Sequence, residues 1–226
     1  MQGVHQVAAR RAGGGSTVPV LVAPEGVLGE SEAILRYADA RLDEPLRLFP
    51  ADPALRGEVE ALSRTLDAGL GPEGRRWIYA QLLPHRELLF TFNNQGVPAW
   101  EARALRALWP LVVRWAGRIL ELRPTTIADD EPRVWSAFDE VAGRLADGRP
   151  HLCGERFTAA DLTFACLAAP VVVPPEYGVR LPQPDELPPA LGERLRAFRE
   201  HPAGAYALAL FRERRRVTVG GATGPR

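Results

Sequence analysis

Thr17-Val18-Pro19 and Gly29-Glu30-Ser31 are the two stretches whose residue types and spacing could hold a small polar ligand. A proline inside an apolar, β-branched run cannot donate to a strand ladder. Two geometries fit it. One is a trans proline on an edge strand. The other is a cis peptide at the strand's start, which X-Pro bonds tolerate at about 0.5–1 kcal/mol. A cis corner leaves the N–H and C=O of Val18 free to pair with an extended peptide. Gly29-Glu30-Ser31 opens a helical pattern. A helix N-terminus offers free N–H groups and a partial positive charge, which suit a carboxylate. Ser31 adds a hydroxyl donor, and Glu30 can accept from an ammonium group. The same residues also read as plain capping by Ser31, with Glu30 favoured by the helix dipole. On these residues alone both alternatives stand.

Phe157-Thr158-Ala159-Ala160-Asp161-Leu162 is structural chemistry. Thr158 at N-cap and Asp161 at N3 can form a reciprocal capping box, with Phe157 and Leu162 as a hydrophobic staple. Cys153 and Cys166 lack CxxC spacing and are too few for a disulfide framework, so a reducing compartment is the simpler reading. Both read as packing or connecting residues rather than reactive thiols. His5, His85, His151 and His201 have no metal-site spacing. His85-Arg86 reads as a helix end. Arg212, Arg214, Arg215 and Arg216 cluster where cations suit a helix C-terminus.

The elements that must position these groups follow from periodicity. Residues 1–12 suit a short helix ended by the glycines at 13–15. Residues 17–22 read as a strand, 23–26 as a turn and 27–28 as a second strand, hence a hairpin. Residues 30–42 repeat apolar positions at helical spacing: Ala33, Ile34, Tyr37, Ala38 and Leu42. Residues 45–53 hold three prolines and are the best domain boundary. Helices are expected over 54–70 and 74–83, as one helix broken near Gly71-Pro72. Further helices are expected over 99–122 with a kink at Pro110, and over 132–145, 158–169, 191–199 and 203–215. A loop over 170–189 holds seven prolines. It reads equally as a lid or as a rigid surface crossing. The tail beyond residue 219 is glycine-rich. The result is a small α/β piece, residues 1–48, then an all-helical domain, residues 49–226.

In this order and spacing, Thr17-Val-Pro-Val-Leu21, Glu30-Ser31-Glu-Ala-Ile34 and Gly154-Glu-Arg-Phe-Thr-Ala-Ala-Asp161 resemble the glutathione S-transferase family. The resemblance spans roughly residues 16–170. It implies a mostly α fold, with a thioredoxin-like piece before an all-helical C-terminal domain. It implies that Pro19 is cis and that Val18 pairs with the cysteinyl backbone of glutathione. It implies that Glu30 and Ser31 hold the γ-glutamyl end. By analogy of position, Arg75, Trp77 and Tyr79 border the electrophile pocket; an amphipathic helix with a solvated arginine face explains them as well. Glutathione would be a co-substrate, and no metal would be needed. Family members are commonly dimers, so a homodimer is left open.

The family also places a strand, a helix and a strand before the Val-Pro strand, and these carry the Tyr, Ser or Cys that acts on the thiol. Here only about seventeen residues precede Val18, and neither Ser16 nor His5 fits that role. The catalytic residue is therefore unassigned and expected to be missing. The start is expected to lie upstream, ahead of a degenerate non-catalytic relative or a strand supplied by a second chain. Thr17 to Val22 would otherwise be an apolar strand edge. Thiol conjugation is the expected activity of the full-length form, with a non-catalytic binding module as the alternative.

Composition excludes several other classes. The formal net charge of the 226 residues is zero, and all 28 basic residues are arginine. That balance suggests neither a nucleic-acid partner nor an anionic membrane. Hydrophobic residues make up 46%, yet no run of about 18 apolar residues occurs. The start lacks a secretory apolar stretch, and a cytoplasmic protein is expected.

Overall fold

Leu21–Ala23 (β1) and Gly26–Leu28 (β2) pair antiparallel, Leu21 opposite Leu28 and Ala23 opposite Gly26. The tight reversal needs Gly26 at φ 143°, a conformation L side chains rarely adopt. The structure is a computed structural model that describes residues 9–13, 18–93, 95 and 97–215. His5, Ser16, Thr17, Arg216, the tail beyond 219 and most of the expected first helix lie outside the described residues.

Helices follow the hairpin. They are α1 (Ser31–Asp39), α2 (Pro53–Ala68), α3 (Leu70–Leu82), α4 (Arg86–Asn93), α5 (Ala99–Ala107), α6 (Trp109–Ile119), α7 (Pro124–Leu145), α8 (Ala159–Val172), α9 (Pro189–Glu200) and α10 (Pro202–Arg214). Short 3-10 turns occupy Glu44–Leu46 and Pro184–Glu186. Among the described residues, no helix is long and apolar enough to cross a membrane.

α8 is the axis of the helical part. It is apolar on nearly every side, and Ala160, Phe164, Ala168, Val171 and Val172 are buried. A helix of that kind belongs inside. α2, α3, α9 and α10 pack around it, and α7 packs on α3. Phe138 of α7 meets Phe164 and Phe198 edge-on at 5.7 and 5.2 Å, while Trp135 stacks on Phe198 at 4.0 Å. Such rings combine large apolar burial with favourable pair geometry.

The expected capping chemistry starts α8. Asp161 accepts from the Thr158 N–H at 2.7 Å and from the Thr158 hydroxyl at 2.8 Å. It also accepts from the Leu152 N–H at 2.8 Å. The linker is fixed to this same end. Ala159 N–H donates to the Leu48 carbonyl at 2.9 Å, and Arg156 donates to the Arg47 and Glu44 carbonyls. Buried Asp39, the last residue of α1, accepts from the N–H groups of Leu48 and Phe49. These bonds tie the end of α1 to the linker and the linker to the start of α8.

Helix boundaries differ from expectation where glycine and proline were read too literally. The break between α2 and α3 falls at Gly69, before Gly71. Gly71 instead permits close packing: a Cβ there would lie 3.2 Å from Leu167 Cδ2. Leu108 separates α5 from α6, and Pro110 takes a first-turn position where no N–H is required. α7 begins at Pro124 and runs through Pro132, and α8 runs through Pro170. Packing on neighbouring helices outweighs the single hydrogen bond each proline removes. α4 lies beyond the helix end expected at His85-Arg86, and Leu89 and Phe90 are buried there.

Candidate functional site

The Val18–Pro19 peptide is cis. Val18 is 55% exposed and lies outside the β1–β2 ladder. Glu30 occupies the N-cap of α1 with extended backbone, φ −107° and ψ 136°, and its carboxylate makes no capping bond. Ser31 is the first helical residue, so the expected capping by its hydroxyl is not what the chain adopts. Ile34 N–H supplies the first helical bond, to the Glu30 carbonyl at 3.0 Å. The N–H groups of the first turn precede it and have no helical acceptor. Both Glu30 and Ser31 are exposed.

Ser31 opens onto a groove of about 340 Å³ between α1, α2 and α8. Glu60, Ser63, Arg64 and Asp67 face it from α2, a spacing of three, four and seven that forms one helix side. Leu162 and Cys166 face it from α8. The Ser63 hydroxyl oxygen is buried without a hydrogen-bond partner. Burial raises the Asp67 carboxyl pKa, and the Glu32 charge adds to the effect. Arg36 is engaged at one edge, donating to Glu32 and to Glu60 at 2.9 Å and lying over the Phe49 ring. Burial raises the Cys166 thiol pKa.

A second cavity, about 210 Å³ and mainly apolar, lies where α3, α4 and the C-terminal end of α8 meet the proline-rich crossover. Tyr79, Leu82, Phe92, Val173, Tyr177 and Leu181 are among its walls. Gln95 ties its rim together, donating to the Phe92 and Arg180 carbonyls at 2.7 Å each.

Arg75, Trp77 and Tyr79 are not brought together. Arg75 is exposed. Trp77 is buried, donates from Nε1 to Glu131 at 3.1 Å and meets Phe198 edge-on at 5.4 Å. Only Tyr79 reaches the apolar cavity. The step of two turns Trp77 away from Arg75 and Tyr79; those two, four apart, share a side of the helix, yet only Tyr79 lines the cavity. Arg76, their neighbour, grips buried Asp130 through Nη2 at 2.6 Å and Nε at 3.0 Å. No group of three His, Cys, Asp or Glu side chains suited to a metal occurs among the described residues. Ser63, Arg64 and Asp67 were missed from sequence. Their common side of α2 was legible, but the partner helices that make it a groove were not.

Residues 124–201 match the family described as glutathione S-transferase, C-terminal domain. That stretch includes Gly154 to Asp161, one of the three segments that carried the resemblance. Among solved structures, the chain is similar to a glutathione S-transferase from Rhodospirillum rubrum F11, with 21% identity over 93% of this chain and 76% of that one, TM-score 0.46. It is also similar to glutathione transferase F2 from Populus trichocarpa, with 17% identity over 87% of this chain and 76% of that one, TM-score 0.46. No curated protein matches. The family match thus falls wholly within the helical part of the chain, from the start of α7 to the end of α9.

Proposed function

We propose that the chain binds glutathione, or a closely similar thiol peptide, at the Val18–Pro19 corner and the tip of α1, and that the activity this site serves is thiol conjugation. The observation that carries this reading is the open tip of α1. Glu30 at N-cap leaves the first-turn N–H groups uncapped by its side chain, and Ser31 stands exposed beside them. Free N–H groups at a helix start favour a carboxylate, with the dipole adding to the attraction. Ser31 supplies a further donor, and Glu30 an acceptor for the α-ammonium. Val18, exposed outside the ladder, offers backbone groups to the peptide's middle residue.

The apolar body of an electrophile is assigned to the 210 Å³ cavity, with Tyr79 on its wall. Arg75 and Trp77 are given no part in it, because one points to solvent and the other into the core. No residue is assigned the role of activating the thiol, and no metal is invoked. The thiol belongs to the co-substrate, so the protein's work is to orient it and to stabilise the thiolate.

Retention on immobilised glutathione, eluted by free glutathione, is the test. The unaltered chain is expected to be retained and Ser31→Ala to be released at much lower glutathione. Equal retention of both, or none, would refute the assignment of the α1 tip. Turnover of a generic aryl halide by the same preparations separates the conjugating reading from a non-catalytic binding module.

A further inference from the structure

Residues 99–123 hold five arginines (103, 106, 114, 118 and 123) against two glutamates (101 and 121). That is a local surplus of three positive charges in a chain whose formal net charge is zero. The overall balance, which spoke against an anionic surface, conceals this concentration. The same stretch is rich in large apolar residues. Leu108, Leu111, Trp115 and Ile119 recur at steps of three and four, so they form one stripe along α6.

A stripe of this kind normally faces a core. Here it does not. Leu108, Leu111, Trp115 and Ile119 are 46, 64, 44 and 57% exposed, and Trp100 on α5 is 58% exposed. Neither α5 nor α6 contains a buried residue. The two helices pack on each other. They are held to the body by the Trp109–Phe90 edge contact at 5.1 Å and the Arg106–Glu87 ion pair at 2.8 Å. Arg114 and Arg118 each precede a stripe residue by one position, so they line one edge of it. Both are exposed and form no ion pair among the described residues.

The geometry points to α6, supported by α5, as a docking surface for an anionic lipid bilayer. The helix would lie in the plane of the interface, with Leu111, Trp115 and Ile119 in the acyl boundary and Arg114 and Arg118 among the headgroup phosphates. Charge and residue type favour this occupant over a second copy of the chain. A twofold interface buries the same patch on both sides, so it would bring two surfaces of surplus positive charge together. A bilayer demands neither matching shape nor countercharged side chains. Tryptophan also favours the membrane–water boundary.

The test is co-sedimentation of the full chain with vesicles of phosphatidylcholine alone and of equimolar phosphatidylcholine and phosphatidylglycerol, at low and high salt. Tryptophan emission and its quenching by brominated lipid are read in parallel. Binding is expected to the anionic vesicles only and to weaken with salt. R114E/R118E is expected to weaken it by more than about tenfold. L111S/W115S is expected to abolish quenching, and Arg212→Glu, in the other arginine cluster, to leave binding unchanged. All altered residues are exposed, and unchanged circular dichroism and Tm confirm folding. Absence of binding to anionic vesicles at low salt would overturn the proposal, as would full binding by R114E/R118E. A concentration-dependent dimer that L111S/W115S dissolves, without vesicle binding, would assign the surface to a second copy instead.

Discussion

Tyr206 donates its hydroxyl to Asp161 Oδ1 at 2.5 Å, joining α10 to the first turn of α8. The same carboxylate takes the Thr158 and Leu152 N–H groups, and it is completely buried. Asp161 thus closes three chain segments on one another. Removing it strands several donors in the core, and each unsatisfied group costs about 1–3 kcal/mol. Asp161→Ala is expected to destabilise by more than about 3 kcal/mol in urea unfolding, and Tyr206→Phe by only about 1–2 kcal/mol.

Tyr206 also makes stability fall at high pH. Burial raises its pKa, and the Asp161 charge and hydrogen bond act in the same direction. The unfolded chain's tyrosine releases its proton near pH 10, where the folded one still holds it. The stabilisation is complete below that pH and declines as pH rises above it. Unfolding followed from pH 8 to 11 is expected to show a decline above pH 10 that is smaller in Tyr206→Phe.

Arg76 and Asp130 form a two-pronged ion pair, with Asp130 fully buried. A buried pair broken on one side leaves a charge without its partner, at about 3–5 kcal/mol. Arg76→Met should therefore cost more than the double variant R76M/D130L, which removes both charges. Chemical denaturation of the three proteins measures the difference. Equal losses would show that the pair is not coupled.

The two cysteines should differ toward thiol reagents. Cys153 is buried, and burial pushes its pKa up to about 11. Cys166 is exposed in the groove, although burial around its sulfur also raises its pKa. In the folded chain at pH 8, a disulfide reagent is expected to titrate one thiol, slowly. Cys166→Ser should remove that signal, and unfolding should release Cys153.

Gly204 lets α9 and α10 meet closely. A Cβ there would lie 1.8 Å from the Phe198 carbonyl oxygen, a backbone atom that cannot swing aside. Gly204→Ala is expected to lower stability by roughly 2–4 kcal/mol, read as a fall in Tm. Gly57→Ala is the control, because nothing lies within 4 Å of a Cβ there.

The local devices were legible from the sequence. Thr158 and Asp161 could be paired from their spacing, because a capping box is closed within four residues. The hairpin at residues 23–26 and the helix expected over 30–42, found over Ser31–Asp39, followed from turn chemistry and periodicity. The helical character of the rest followed in the same way, although α4 was passed over and the start of α7 was set at 132 rather than 124.

Sequence alone thus determined the hairpin, most of the helices and the polar character of the α1 tip, since these depend on neighbours a few residues apart. Tertiary structure decided which side of α2 meets α1 and α8 to form a groove. It decided that Trp77 is core while Tyr79 reaches a cavity, and that Leu111 and Trp115 are left uncovered. Those outcomes depend on contacts between residues far apart in the chain. A helical period names the side a residue occupies; only packing determines what, if anything, that side faces.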